Sequence, residues 1–508
     1  MGVVQSLNNI TDHPKIGIDP QEYKRITLDK QYFEGKFPKI KYHNSYGKVV
    51  ERPYVTLNMM QVICRRLASI LYNEQSKITV ETRPEKTDDA GQTIKPSEPD
   101  EANQFIHSVL DANDFNKNFE RYLESALALG GLVIRPYVDS DTGKIKLSWA
   151  QAPNFYPLRN NTNDITNAAI ATPSARVESG KTVYYTLLEF HEWNEQRYTI
   201  TNELYRSDVK DQVGMKVPVN QLYPDLAEQA VQTGFSRPLF VYLKPAGFNN
   251  RNITSPLGLG VADNARTTLK QLNDTYDQFN WEVLMGQRRV AIPDGMTQVS
   301  YDETGQRPTE QFFDPDQNVF VPIAGDMDNF KIQDLTSDIR SEEFISALSH
   351  FLKTLEMQVG LSAGTFSFDA QGLKTATEVV SENSMTYQTR NSHLTMVERA
   401  IKELCVSICE LGAATVINGS TLYTGTIPTI DQVSVDFDDG VFTDKAASAD
   451  YWIKLQAAGM VPKWVAIQRA LDVTEEVAKQ YAAEVSDENT PETAQEANTA
   501  LFGGEGDG

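Results

Sequence analysis

Two stretches in the second half of the chain place apolar residues alternately four and three positions apart. The first contains Ala265, Leu269, Leu272, Tyr276, Phe279 and Val283, and the second contains Ile345, Leu348, Leu352, Leu355 and Val359. This spacing predicts two long amphipathic helices, each with a narrow apolar stripe. Because a narrow stripe is buried best along another helix, both stripes suit helix–helix packing.

The 45 residues between these helices, 294–338, are predicted to form an insertion of short strands and loops. Five acidic residues lie close together within it: Asp302, Glu303, Glu310, Asp314 and Asp316. The insertion therefore joins the two helices through a small acidic unit.

A glycine-containing loop and a third long helix follow the helix pair. The loop spans 360–374 and contains Gly364 and Gly372. Thr375 and Glu378 then form a capping box, in which each side chain satisfies a backbone N–H of the first helical turn. This helix is predicted to run to about residue 411. Its first half, 381–393, is polar nearly all round, so we expect it to meet other subunits or a water-filled space.

The rest of the chain predicts an α+β fold with antiparallel hairpins. Residues 1–53 are expected to form an extended arm with short elements, followed by helices at 57–72 and 101–129, the latter broken near Asn113. Predicted strands cover 77–81, 132–138, 144–149, 168–177, 182–193, 197–204, 238–243 and 433–437. Short helices are predicted at 444–458, 462–471 and 475–485, before an acidic tail.

Composition excludes several classes of protein. The 508 residues carry a net charge of −22, whereas a protein that grips nucleic acid over a broad surface needs a basic face. The longest apolar run, 126–134, has nine residues, and a membrane-spanning helix needs about 20. Three cysteines are too few for a disulfide framework. We therefore expect neither a membrane partner nor a secreted protein, and no simple DNA-binding module.

Candidate chemical sites are weak. Residues 175–182 fit a relaxed nucleotide-binding loop, but a strand pattern follows where a helix is required, so a hairpin turn is the better interpretation. Cys405 and Cys409 lie one helical turn apart and are interpreted as core residues, since no further ligands accompany them. The acidic group Asp436, Asp438, Asp439 and Asp444 fits a calcium site or, more simply, a strand end and a helix N-cap. We therefore predict no catalytic residues, no metal and no cofactor.

Five segments carry a family resemblance: 57–74, 128–137, 374–378, 437–444 and 458–463. Together with the order of the predicted elements, they resemble the portal proteins of tailed bacteriophages, specifically the portal family of Gram-positive siphophages. The resemblance implies an α+β portal fold with a wing, a long-helix stem, a small β-containing clip and a helical crown, assembled as a ring. A ring of about twelve copies is expected at one capsid vertex.

The resemblance divides the chain into parts. It implies a wing (1–255), stem helices (256–288 and 338–360), a clip (289–337), a tunnel loop (361–374), a wing helix and β segment (375–446), a crown (447–490) and an acidic tail (491–508). The tunnel-loop residues expected to face DNA are Thr365, Phe366, Gln371 and Lys374. The five acidic residues of the insertion are expected to dock the motor or the adaptor.

The implied function is a channel for double-stranded DNA during packaging and ejection. The expected partners are the terminase large subunit, a head–tail adaptor that replaces it, and the major capsid and scaffold proteins. The protein would reside in the host cytoplasm during assembly and in the virion afterwards. An acidic channel wall suits this role, because phosphate neutralisation would stall sliding DNA. An alternative for Lys374 is an ordinary solvated lysine. Alternatives for the chain are another virion component, such as a minor head or adaptor protein, and a nucleotide-dependent packaging enzyme based on residues 180–182.

Overall fold

The computed structural model describes most of the chain. The described residues are 6–43, 48–73, 76–83, 86–87, 93–94, 100–160, 164–194, 197–232, 234–286, 288, 290–293, 300–301, 308–310, 320–323, 333–334, 336, 338–366, 384–417, 419–437, 445–471, 473 and 475–488. They form two compact units, the larger comprising 1–369 with 388–437, and the smaller 370–387 with 438–508.

The helices have the following bounds: α1 Pro20–Glu34, α2 Met59–Leu71, α3 Glu101–Ala112, α4 Phe115–Leu129, α5 Arg266–Met285, α6 Ser341–Gln358, α7 Ser384–Ala414, α8 Lys445–Ala457, α9 Lys463–Leu471 and α10 Glu475–Glu488. The predicted helices are thereby confirmed over their described residues, to within a few residues at each end. The capping box at Thr375 and Glu378 lies outside the described residues.

The strands of the first half have the following bounds: β1 Ser6–Leu7, β2 Ile40–His43, β3 Val49–Arg52, β4 Lys77–Val80, β5 Lys86–Thr87, β6 Thr93–Ile94, β7 Leu132–Val138, β8 Ile145–Gln151, β9 Phe155–Asn160, β10 Ile165–Glu178, β11 Lys181–Asn194, β12 Arg197–Ser207, β13 Gly214–Val217, β14 Gln229–Gln232 and β15 Val241–Leu243. The later strands are β16 Val290–Pro293, β17 Ser300–Tyr301, β18 Pro308–Glu310, β19 Phe320–Ile323, β20 Gln333–Asp334, β21 Val416–Ile417, β22 Ser420–Thr421 and β23 Val433–Asp436.

Two sheets dominate the larger unit. A seven-stranded antiparallel sheet has the order β1-β13-β12-β11-β10-β9, with β14 also pairing with β12. A three-stranded sheet has the order β15-β7-β8. Strands β16, β19 and β20 form a small sheet between α5 and α6, with β16 just before the insertion and parallel to β19. These observations confirm the predicted α+β class and the short strands of the insertion.

The main core lies among α2, α4, α7 and the three-stranded sheet. Fully buried side chains from these elements pack together, among them Ile63, Phe119, Val133 and Leu404. All three cysteines are buried in this core, which confirms the interpretation of Cys405 and Cys409 as core residues. Burial raises the pKa of the Cys409 thiol to about 12, so the group stays protonated and unreactive.

The predicted extended arm over 1–53 is wrong, because α1 occupies fifteen of its residues. Asp19 accepts a hydrogen bond from the Gln21 N–H, Pro20 holds the first helical position, and Gly35 ends the helix at φ +64°. The buried face of α1 carries the charged residues Glu22, Arg25 and Asp29 in place of an apolar stripe. The capping residues alone could have identified this helix.

The described residues of the smaller unit include the first four residues of α7 and the short helices α8, α9 and α10. Ala466 of α9 and Ala478 of α10 are buried, and the Lys479 ammonium lies 5.0 Å from the centre of the Trp464 ring. Several large apolar side chains of this unit are exposed, including Tyr451, Ile453 and Leu471.

Candidate functional site

Helices α5 and α6 form an antiparallel pair on either side of the insertion. The last turns of α5 meet the first turn of α6, where the rings of Phe279 and Phe344 lie 5.2 Å apart. The Arg340 guanidinium donates a 2.6 Å hydrogen bond to Glu282 at the same end. The two long helices therefore pack against each other within one chain, and the polypeptide between them leaves and returns at this end of the pair.

Burial decreases steadily along this helix pair. At the end of the pair away from the insertion, which we call the root, Leu269, Leu272 and Leu355 are at most 2% exposed. At the far end, Val283 is 47% exposed and Ile345 is 56% exposed. A single chain thus covers the stripe at the root of each helix and leaves apolar surface bare towards the insertion. Contiguous exposed apolar surface is typical of sites where proteins contact one another.

The end of β3 and the residues directly after it lie against the polar face of α5, opposite its apolar stripe. The guanidinium of Arg52 donates two hydrogen bonds, 2.7 and 2.6 Å long, to the carboxylate of Asp277. The Val55 N–H donates to the same carboxylate at 3.0 Å, and the Tyr54 hydroxyl donates to Asp274 at 2.7 Å. Burial by itself raises the pKa of Asp277, but the hydrogen bonds from Arg52 and Val55 outweigh it and lower the pKa.

A buried charge cluster holds the root of α5 against α1. The Arg25 guanidinium donates to Asp263 at 3.1 Å, and the Arg266 guanidinium donates to Asp29 at 2.6 Å. Burial, reinforced by the nearby Asp263 carboxylate, raises the pKa of Asp29. The cluster joins α1, the turn before α5 and the first residue of α5. It explains why α1 buries charged residues.

A buried carboxylate organises the loop after α6. Glu356 is fully buried and accepts hydrogen bonds from the backbone N–H groups of Gly364, at 2.9 Å, and Phe366, at 2.5 Å. The Thr365 hydroxyl donates to the Ser362 carbonyl at 2.6 Å. These contacts hold the beginning of the loop against the last turn of α6. They fix the backbone conformation of the loop up to residue 366.

Gly360 lets α6 end directly against α7. Its φ of +74° lies in the left-handed region, and the Thr389 hydroxyl of α7 donates a 2.7 Å hydrogen bond to its carbonyl. A Cβ on this glycine would lie 2.4 Å from the Thr389 hydroxyl oxygen. Any larger residue would therefore push the two helices apart.

The structure places only part of the sequence-predicted site. Thr365 and Phe366 lie in the loop organised by Glu356, whereas Gln371 and Lys374 lie outside the described residues. Among the five acidic residues of the insertion, Glu310 is the last residue of β18 and is paired with Ser300 on β17. The other four, Asp302, Glu303, Asp314 and Asp316, lie outside the described residues.

Sequence reasoning missed Glu356 and Thr389. One signal for Glu356 was present: it lies four residues after Leu352 and three before Val359, on the face of the stripe itself. A charged residue at such a position must be satisfied by buried polar groups. Thr389 carried no comparable signal, since its partner is a backbone carbonyl of another element.

From residue 388 onwards, α7 belongs to the larger unit. Polar residues in this part of the helix form hydrogen bonds to other segments of the same chain. The Arg390 guanidinium donates to the Ile70 carbonyl at 2.9 Å, and the His393 ring accepts a 3.0 Å hydrogen bond from the Ala246 N–H. Both side chains are buried. Burial lowers the pKa of His393 to about 4, so the ring is neutral at physiological pH. For these residues, the expectation of a subunit contact or a water-filled space is wrong, because backbone groups of the chain satisfy the polar side chains.

The candidate nucleotide loop is a hairpin. Strands β10 and β11 pair directly, with Glu178 opposite Lys181, and Ser179 and Gly180 between them have φ of +49° and +79°. The residues after Gly180 continue as a strand, so the helix N-terminus required for phosphate binding does not follow. The hairpin interpretation is confirmed.

Within the part of the chain that the structure describes, no group of three or more His, Cys, Asp or Glu is arranged to hold a metal ion. Asp436 ends β23, and its predicted companions Asp438, Asp439 and Asp444 lie outside the described part. Among the helices that are described, none is long and apolar enough to cross a membrane.

Comparison with solved structures finds similar chains in phage-like particles. One belongs to the neck of an empty GTA particle computed with C6 symmetry (12% identity, 88% of this chain and 92% of that chain covered, TM-score 0.42). Another belongs to the virion of a native gene transfer agent particle (11%, 90% and 93%, 0.40). A third belongs to the neck of a native GTA particle computed with C12 symmetry (11%, 87% and 92%, 0.42).

The comparison with curated proteins found no match. The comparison with family models did: "Phage portal protein, SPP1 Gp6-like" matches residues 12–491, which is nearly the whole chain. The chain therefore belongs to the SPP1 Gp6-like family of phage portal proteins, which are structural components of the virion and not enzymes.

Proposed function

We propose that this portal protein assembles into a closed ring of about twelve copies at one capsid vertex, and that double-stranded DNA passes through the ring during packaging and ejection. The observation that carries the proposal is the apolar surface left bare at the far end of the α5–α6 pair. Val283, Leu284 and Met285 are consecutive and all at least 41% exposed.

Three consecutive helical residues point in directions about 100° apart. One neighbouring helix cannot cover all three, and α6 already lies on one side of α5. A ring supplies the missing contacts, because it places each helix pair between two identical neighbours. Ile345 of α6, which is 56% exposed, then meets a neighbour in the same way.

The rest of the functional assignment follows from the family and from charge. The net charge of −22 suits a channel that repels phosphates and lets DNA slide. We assign the wing, stem, clip, tunnel-loop and crown divisions of the sequence analysis as part of this proposal. The clip, residues 289–337, would dock the terminase large subunit and then the head–tail adaptor. The same proposal includes contacts with capsid and scaffold proteins, assembly in the host cytoplasm and an origin among Gram-positive siphophages.

Native mass spectrometry and negative-stain imaging of the purified protein test the ring. We expect rings with a central hole for the native chain, and smaller species for the double variant Leu284→Asp, Ile345→Asp. Val177→Asp is the matched control, because Val177 is 74% exposed at the tip of the β10–β11 hairpin. Rings from the double variant would show that the far ends of α5 and α6 are not the contact. Absence of rings from the native chain, alone and with its scaffold protein, would overturn the proposal.

Two further variants test the channel and the docking site. Lys374→Glu should impair DNA packaging while rings still form, because it replaces a charge that can touch phosphates. Lys210→Glu, at an exposed lysine of the wing, is its control. Deletion of 295–335 should leave rings that neither engage the motor nor attach a tail. Normal packaging by Lys374→Glu would show that Lys374 takes no part in it. Normal tail attachment by the deletion variant would show that the insertion is not the docking site.

A further inference from the structure

One loop of the larger unit exposes two large apolar side chains. The loop, residues 247–256, lies between β15 and the turn before α5. Phe248 in this loop is 64% exposed and Ile253 is 72% exposed. Both values are higher than those of the bare apolar residues at the far end of the α5–α6 pair. Two such side chains on one short loop are typical of a contact site.

Asn249 fixes the conformation of this loop from its buried side. The residue is only 5% exposed. Its side-chain amide group donates to the Glu22 carboxylate at 3.0 Å and to the Leu257 carbonyl at 3.1 Å. Its side-chain oxygen accepts from the backbone N–H groups of Arg251, at 3.2 Å, and Asn252, at 3.1 Å. The loop therefore turns around a buried asparagine that holds both of its halves.

Further hydrogen bonds order the second half of the loop. The Ser255 hydroxyl donates to the Glu22 carboxylate at 3.1 Å. The side-chain oxygen of Asn252 accepts from the Thr254 N–H at 3.2 Å and from its hydroxyl at 2.8 Å. A backbone that is already ordered loses little conformational entropy when it binds. The loop thus presents its two apolar side chains on a preorganised backbone.

The loop brings almost no charge to a contact. Arg251 is the only charged residue of 247–256, and its guanidinium lies 3.3 Å from the carboxylate of Asp263. Each chain carries a net charge of −22, so two copies repel each other over most of their surface. Contact between copies is favourable where apolar groups are buried and like charges are not brought together. The loop meets both conditions.

Arg251 also fixes the loop relative to the helix pair. Its guanidinium donates a 3.1 Å hydrogen bond to the backbone carbonyl of Asp263. Asp263 lies three residues before Arg266, the first residue of α5, and accepts from Arg25 of α1 at 3.1 Å. The loop is therefore attached at the root of α5. A neighbouring copy that packs along α5 from its bare far end to its root comes within reach of the loop.

We propose that Phe248 and Ile253 pack against apolar surface on a second copy of this chain, the adjacent copy in the ring. This inference rests on the proposed ring and adds a contact at the root of the helix pair to the one at its far end. Contacts in a closed ring of more than two copies are head-to-tail. The loop therefore meets a different surface of its neighbour, and not the neighbour's own loop.

Photo-crosslinking of the purified ring tests the contact directly. The photoreactive residue p-benzoylphenylalanine at position 248 keeps an aromatic side chain and bonds covalently to the group that lies against it. Irradiation should give a species of twice the chain mass, with the bond outside residues 247–256 of the second copy. The same residue at position 209 is the control, because Val209 is 52% exposed on the turn after β12. Rings that give no cross-linked dimer from position 248 overturn the inference.

A double variant measures the strength of the contact. Phe248→Ser with Ile253→Ser removes the apolar groups without adding charge, and both side chains are exposed, so the chain is expected to fold. In a dilution series followed by mass photometry, the concentration at which half of the chains are in rings should rise by at least about tenfold. Val209→Ser should leave this concentration unchanged. Circular dichroism should show the same helix and strand content in all three proteins.

The failure of this inference can be distinguished from the failure of the proposed function. Native rings whose assembly is matched by the double variant overturn the loop contact alone, because the ring is then intact without it. Absence of rings from the native chain, alone and with its scaffold protein, overturns the proposed ring and the loop contact together.

Discussion

The buried carboxylate of Glu356 accepts a 2.5 Å hydrogen bond from the backbone N–H of Phe366, ten residues further along the chain. The last turn of α6 and the first residues of the following loop are therefore one structural unit. In the proposed ring, this contact connects the stem to the loop that lies nearest the DNA. Changes in the packing of α6 would then move the start of that loop directly.

Glu356→Gln is expected to destabilise the larger unit. A glutamine has one acceptor oxygen, so one of the two loop N–H groups that Glu356 satisfies would lose its partner, at a cost of about 1–3 kcal/mol. Chemical denaturation measures the difference. Glu343→Gln, at an exposed position on the same helix, is the control and should change stability by less than about 0.5 kcal/mol. Equal stability of the two variants would show that the contact is not needed.

Gly360→Ala should be more destabilising than Gly180→Ala. Both glycines have positive φ, +74° and +79°, so both substitutions impose backbone strain of about 1 kcal/mol. Only the Cβ at 360 also meets Thr389, at 2.4 Å from the hydroxyl oxygen, whereas nothing lies within 4 Å of a Cβ at 180. Thermal unfolding of the single variants and of Gly360→Ala with Thr389→Ala should show partial recovery in the double variant. If the double variant recovers no thermal stability, the contact with Thr389 is not the cause of the additional destabilisation.

Arg52→Ala is expected to lower the free energy of unfolding by about 3 kcal/mol, because it leaves the buried carboxylate of Asp277 without its main partner. Without Arg52, burial dominates and the pKa of Asp277 rises, so the loss should be larger at pH 7 than at pH 4. Denaturant unfolding at both pH values checks this. Arg65→Ala is the control, since the Arg65 side chain is 71% exposed. A pH-independent loss would argue against Asp277 as the affected group.

Stability should fall as the pH is lowered from 6.5 to about 4, in part through His393. The native ring has its pKa lowered to about 4, whereas the unfolded ring titrates near its usual 6.5. The unfolded state therefore binds the additional proton within this window, and stability present above pH 6.5 is lost progressively, by at most about 3 kcal/mol.

His393→Asn isolates this contribution, because asparagine retains an acceptor for the Ala246 N–H and does not titrate. Its denaturation free energy should depend less steeply on pH between 4 and 6.5 than that of the native protein. His43→Asn, at an exposed histidine, should leave the slope unchanged. An unchanged slope in His393→Asn would contradict the proposed burial of the neutral ring.

Only those parts of the candidate site that depend on local sequence patterns could be predicted. The stripe spacing identified α5 and α6, and the glycine pattern placed the loop that contains Thr365 and Phe366. By contrast, Arg52 and Asp277 are separated by 225 positions, and no periodicity connects them. The helix α1 was missed for a related reason: its buried face is built from charges whose partners, such as Asp263, come from distant segments.

The sequence alone determined the helices and turns that depend on residues only a few positions apart. Spacing of apolar residues, capping residues and turn glycines act within a few positions, so α3, α4, the β10–β11 hairpin and the three C-terminal helices followed from them. The tertiary structure decided which polar groups are buried and what satisfies them. Burial of Glu356 or Arg390 is favourable only when backbone groups of another segment lie within hydrogen-bonding distance, and only the folded chain brings those groups together.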